Sequence, residues 1–257
     1  MSIKELKKEY KNNLKTEREA FRNKKRGIKK SFKDRLEEGY VSGEIERPKD
    51  PPKRSLLEEI GNAVTHGVGS LFAIVALVLM LISSNGVLEY IGASIYFFGL
   101  FVMFTASCLY HAFAHGSAVK RLFRRFDYSS IYLLIGATFA PILLSVVGGF
   151  FGNLFFIIQW ALIITGISLV GVFGPTKLRF IHIPMYVILG WSALMLFPFM
   201  LEFSMPFTMW ILAGGVLYTL GIIPFCMKLR ASHFIWHFFV LAGALTQWIG
   251  IYVYVYI

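Results

Sequence analysis

Seven runs of apolar residues constrain this chain more than any other feature. Each is close to the roughly 20 residues that carry a helix across a bilayer, and they fall at 61–82, 88–111, 128–148, 153–174, 183–201, 206–226 and 234–256. Between them lie Ser83-Ser84-Asn85-Gly86, the basic run 116–126, Gly148-Gly149, Gly174-Pro175, the stretch from Glu202 to Pro206, and the turn from Lys228 to Ser232, all chemistry that suits connections. Hydrophobic residues make up 56% of the 257, too many for an ordinary soluble domain. The chain therefore reads as an all-α membrane protein, a seven-transmembrane helix bundle.

Charge divides the sequence in two. Residues 1–54 form a basic tail, and 55–257 hold the spanning domain. In the tail, Lys-Lys and Lys-Lys-Arg clusters alternate with Glu and Asp, while Leu6, Tyr10, Leu14, Phe21, Ile28 and Phe32 recur at roughly helical spacing. A helix is expected there, stopped by Pro48, Pro51 and Pro52. No apolar run follows the first charges, which excludes a secretory signal peptide. Two readings of the tail stand: a solvated arm, or a cationic arm on anionic lipid headgroups, where each nearby Lys or Arg contributes about 1 kcal/mol.

A net charge of +11 would suggest nucleic acid in a soluble protein, but here the basic residues follow membrane topology, and no nucleic-acid partner is expected. After the tail they are Lys120, Arg121, Arg124, Arg125, Lys177, Arg179, Lys228 and Arg230, all in the second, fourth or sixth connection. The positive-inside rule then puts the N-terminus in the cytoplasm and the C-terminus outside, in a multi-pass plasma-membrane protein. Cys108 and Cys226 both lie in apolar runs, which suggests buried free thiols and neither a disulfide framework nor a thiolate metal site.

Polar groups inside the apolar runs need a reason to be there. His233 and His237 are four apart, so on a helix both rings share one face and can share a metal ion; two partly solvated surface histidines would show the same spacing. His66 lies early in the first run, His111 ends the second, and Asp127 opens the third. With odd helices entering from the cytoplasm, all five groups fall in the inner half of the bilayer. Glu59, Asn62 and His66 form one stripe, and Ser107 and His111 another, so each imidazole has a neighbour on an adjoining turn to orient it. Asn62 and Ser107 would equally serve interhelical hydrogen bonding. Three histidines and a water make an open tetrahedral zinc site, with Asp127 as the carboxylate that takes a proton from the water. His111 and His115 are a competing pair. His115 is expected beyond the last turn of its helix, and His182, beside Arg179 and Pro184, at the membrane surface.

Glu59-x-x-Asn62-x-x-x-His66, Ser107-x-x-x-His111 with Asp127 downstream, and His233-x-x-x-His237 resemble the three motifs of the PAQR (progestin and adipoQ receptor) superfamily, in its hemolysin III branch, over about residues 55–257. The resemblance implies a seven-helix bundle with a cytoplasmic N-terminus and a zinc ion near the inner leaflet. By motif, His111, His233 and His237 would be the ligands, Asp127 would hold the water with Ser107 beside it, and Glu59, Asn62 and His66 would support the site. Members of this kind are associated with signalling, with ceramidase-type hydrolysis of lipid amides, and with membrane-lipid homeostasis.

Three functions follow. The first is a zinc-dependent hydrolase of an amide or ester bond in a lipid, and the second a membrane or lipid sensor whose zinc is structural. The third, a pore-forming hemolysin, fits poorly, because seven apolar helices would aggregate in water and a secreted toxin needs a soluble form. If the topology is right, a cysteine added after Ile257 labels with an impermeant reagent on intact cells and one near Gly43 does not. The opposite labelling would remove the shared-leaflet argument.

Overall fold

The computed structural model of the chain describes residues 2–42, 51–227 and 229–257. The expected stop at Pro48, and Lys228, lie outside the described residues. Among the described residues there is no strand, and seven helices are long and apolar enough to cross a membrane. They are α1 (Leu56–Ser83), α2 (Val87–Ala112), α3 (Ala118–Val147), α4 (Gly149–Phe173), α5 (Arg179–Phe203), α6 (Met205–Cys226) and α7 (Ser232–Tyr256). The expected seven-helix bundle is thus observed.

Local chemistry fixes the helix ends. Ser55 accepts from the Glu58 backbone N–H while the Glu58 carboxylate accepts from the Ser55 N–H, a capping box that starts α1. Ser117 and Ser204 cap α3 and α6 in the simpler way. Gly148, Gly149 and Gly174 turn the chain at positive φ, where a side chain would be strained. Three helices change pitch: α3 finishes as a π-helical turn, Ile142–Val147, after Pro141, α7 finishes as another, Tyr252–Tyr256, and α5 passes through a 3₁₀ segment, Ser192–Leu196.

The third helix begins earlier than the apolar pattern indicates. Lys120, Arg121, Arg124 and Arg125 do not form a loop but sit in the first turns of α3, because Ser117 caps a segment of good helix formers. Cys226 is another correction, being exposed at the end of α6 rather than buried.

In the bundle α2 packs along both α1 and α3, α6 packs along α7, and α7 returns to α1. The main core, which includes Tyr96, Leu100, Phe104, Leu196, Met200 and Phe207, lies among these helices and α5, and a smaller one surrounds Tyr132, Ile163, Val170 and Leu189. Small residues set the closest approaches. A Cβ on Gly61 would stand 2.8 Å from the Phe234 ring, so α1 meets α7 across a missing side chain. One on Gly99 would overlap the Ala137 methyl group.

The tail helix, Ile3–Ser42, is a separate unit. Ser2 caps it by accepting from the Glu5 N–H.

Gly99→Ala should destabilise the bundle by about 1–3 kcal/mol through overpacking, read as a lower melting temperature in detergent. Adding Ala137→Gly should return much of the loss, and an unchanged melting temperature in Gly99→Ala would show that the α2–α3 contact is looser than described.

Candidate metal centre

The end of the bundle where α1, α3 and α7 begin and α2 finishes gathers the polar groups. His111 closes α2 as one of its last residues. His233 and His237 are one turn apart at the start of α7, after a tight turn in which Ala231 takes a left-handed conformation, φ 61°. The three ligand nitrogens lie within 4.8 Å of one another. His233 Nε2 is 3.3 Å from both His111 Nε2 and His237 Nε2.

That spacing is a test of fit. Nitrogens bound about 2.0–2.1 Å from a tetrahedral ion stand about 3.3–3.4 Å apart, the separation of His233 Nε2 from each of the other two. Three imidazole nitrogens turned toward one buried point cannot all be satisfied by sharing protons, whereas their lone pairs suit a metal ion. His111 and His237 are buried and His233 partly so.

The tautomer of His111 is fixed from another helix. Glu59 on α1 places Oε2 2.6 Å from His111 Nδ1, so Nδ1–H donates to the carboxylate and Nε2 keeps its lone pair for the cluster. The Asn62 amide, also on α1, is 3.4 Å from the same Nδ1. Orientation of His111 thus comes across the α1–α2 interface. Ser107, one turn back on its own helix, faces the Asp127 carboxylate instead.

Asp127 stands in the third turn of α3, half-buried, within electrostatic reach of His111, Arg54 and Arg124. His66 is buried and stacks on His237, ring centroids 3.7 Å apart, with its other edge against Phe104. It lines the cluster without joining the three converging nitrogens. His115 lies past the end of α2, exposed, with Nε2 3.0 Å from the Pro51 carbonyl oxygen. His182, expected at the surface, is in fact buried, with Nδ1 2.9 Å from the Tyr132 hydroxyl. Tyr132 on α3 covers it, which the sequence around His182 could not reveal.

Two residues complete the arrangement that sequence reasoning does not assign to the site. Lys120 is one, 1% exposed. Its ammonium is 3.0 Å from Glu59 Oε1, donates to the carbonyls of Phe113 and His111 at the end of α2, and lies 4.9 Å from the Tyr110 ring centroid. Glu58 is the other: besides capping α1, its Oε1 accepts from the Ala231 N–H at 2.6 Å. The only sequence signal was their placement, Lys120 three residues after a Ser cap and Glu58 three after another.

A buried triple-histidine cluster at one end of a seven-helix bundle defines a multi-pass membrane protein able to hold a metal ion. The comparisons agree with this class. The sequence pattern of the family described as "Haemolysin-III related" matches residues 54–248, and the chain belongs to that family. It is 35% identical over 208 residues to Hemolysin-3 of Bacillus cereus, covering 77% of this chain and 92% of that one. To the Hemolysin-3 homolog of Bacillus subtilis it is 29% identical over 205 residues, 78% of this chain and 95% of the relative. The human monocyte to macrophage differentiation factor is 28% identical over 214 residues, 79% and 87% of the two chains. These similarities support the hemolysin III branch of the PAQR superfamily.

Partners that orient a metal-binding histidine are commonly worth about 10–100-fold in metal affinity. Glu59→Gln and Lys120→Met should each weaken metal binding by about that much, measured by competition with a chelator, whereas His115→Ala should not change it. Metal retained at full affinity in Glu59→Gln would mean that His111 is oriented by something else.

Proposed function

We propose that the chain is a zinc-dependent hydrolase of lipid amides, ceramidase-like, acting in membrane-lipid homeostasis from the plasma membrane. The observation that carries the reading is the Nε2 convergence of His111, His233 and His237 with a carboxylate, Asp127, on a third helix within electrostatic reach of His111. A metal that only braced helices would have no need of that carboxylate. Zinc fits the donor set, since three imidazoles leave a tetrahedral position open.

An apolar cavity of about 140 Å³ supports the substrate class. Its wall includes Trp236 and Val240, each three residues beyond a cluster histidine on α7, and Phe225 from α6, whose ring centroid is 6.0 Å from that of His233. Gly190, Gly215 and Leu212 continue the lining. Such a pocket accepts an acyl chain and leaves its carbonyl at the histidine end.

Bound zinc supplies Lewis-acid polarisation of that carbonyl and makes a water more acidic. The chain's own residues do the rest. Asp127 accepts a proton from the attacking water as the oxygen bonds to the carbonyl carbon, and the protonated carboxyl then donates to the nitrogen as the C–N bond breaks. Fatty acid and free amine result. Ser107, facing Asp127, holds the carboxylate in place, and Glu59 keeps His111 in the tautomer that binds. In this reading the N-terminus faces the cytoplasm and the cluster lies at inner-leaflet depth.

The alternative, a lipid or membrane sensor with a structural zinc, draws on the ties of Glu59 and Lys120 among α1, α2 and α3 at the same place. Asp127→Asn separates the two. It keeps the shape of the side chain and removes the base, so zinc content and melting temperature should hold while fatty-acid release from a ceramide-like substrate falls by about 100-fold or more. Wild-type protein without hydrolysis, and an Asp127→Asn protein that restores the membrane phenotype of a deletion strain, would favour the sensor.

A further inference from the structure

The tail helix lies outside the metal-site reading and has its own pattern. At about 100° per residue, Ile3, Leu6, Tyr10, Leu14, Phe21, Ile28 and Phe32 fall within about 80° of arc. Six of the seven are exposed, Phe21 at 68% and Ile28 at 62% among them, and Leu14 is half-buried. Lys11, Lys15, Arg18, Arg22, Lys29 and Lys33 form a band along one flank of that stripe. Glu5, Glu9, Glu19, Asp34 and Glu37 lie on the far side, and only Glu17 among the acidic residues enters the stripe.

We propose that the helix Ile3–Ser42 is an amphipathic arm that lies along an anionic lipid surface, its apolar stripe sunk to the boundary of headgroups and acyl chains and its basic band on the phosphates. A second copy of the helix is the competing occupant, and the sequence opposes it. The heptad frame set by Ile3, Leu6 and Tyr10 runs on through Asn13, Glu17, Ala20, Lys24, Gly27, Ser31 and Asp34, and where Leu14, Phe21 and Ile28 repeat at seven residues the alternating seam positions are Glu17 and Lys24 or Arg18 and Lys25, so neither frame gives a continuous apolar seam. The apolar stripe stays on one face of the helix from Ile3 to Phe32, as a face laid along a flat surface requires.

Charge and tethering select the lipid surface. A single apolar stripe with a basic border binds at an interface through both terms, buried apolar area and attraction to anionic lipid. The connection from Ser42 to Leu56, where α1 begins, spans at most about 50 Å fully extended. The membrane that holds α1 is therefore always within reach, and binding is intramolecular in effect.

The test uses full-length protein in lipid nanodiscs, one copy per disc, with trypsin as the probe of the tail's many Lys and Arg sites. In discs containing phosphatidylglycerol the tail should be cut about 10-fold more slowly than in phosphatidylcholine discs, and high salt should abolish the difference. Phe21→Glu, Ile28→Glu and Phe32→Glu together should remove the protection, as should Lys15→Gln, Arg18→Gln and Arg22→Gln, which leave the apolar stripe intact. Equal cleavage in both lipids would overturn the proposal. Protection that appears only with two copies per disc, whatever the lipid charge, would overturn it in favour of self-association.

Discussion

The Glu59 carboxylate is the interaction on which the rest of this end of the bundle depends. A membrane-embedded helix offers no water to an ionised side chain, so a buried Lys120 is tolerable only with an opposite charge in contact. Glu59 supplies it with one oxygen and holds His111 with the other, at 3.0 and 2.6 Å. Removing either member of such a buried pair leaves an uncompensated charge, at a cost of about 3–5 kcal/mol. One carboxylate therefore does two things that pull in the same direction: it neutralises a cation on α3 and sets the proton of an imidazole on α2. The same lysine closes off the carbonyls of Phe113 and His111, so the end of α2 that carries the imidazole is itself pinned.

Much of this was legible in the sequence, and the reasons for the exceptions are physical. Hydropathy revealed all seven spans, because a bilayer imposes length and composition together. Helical spacing revealed the His233/His237 pair and the Glu59, Asn62, His66 stripe. Spacing reports only neighbours on the same helix, however, which is why Ser107 looked like the partner of His111 when the partner stands on α1. A hydropathy window counts Lys120 as a solvated charge, since it cannot see a carboxylate from a helix elsewhere in the chain, and it starts the third helix several turns late for the same reason. His182 shows the converse error. Flanked by Arg179, it looked wet, but the hydroxyl that shelters it comes from Tyr132 on another helix.

Packing is tight along α1–α2–α3 and along α6–α7 and looser beside α5. Gly61, Gly99 and their partners let α1, α2, α3 and α7 approach with almost no gap. Across from them α5 changes from α to 3₁₀ geometry at Ser192–Leu196, and the cavity lies between it, α6 and α7 with parts of α2 and α3. Irregular helical pitch at membrane depth is tolerated where it borders protein or a cavity. The dense side carries the histidines and the looser side carries the room for a ligand.

Glu58 has a consequence of another kind. Its two carboxylate oxygens serve different masters: one completes the cap of α1 at the Ser55 N–H, and the other receives the N–H of Ala231, the residue in the left-handed turn that launches α7. Sliding α1 along α7 by a helical turn, about 5.4 Å, would break the bond from Ala231 to Glu58. The first and last spanning segments are thus clasped like the two ends of a bracelet, and the histidines sit beside the buckle.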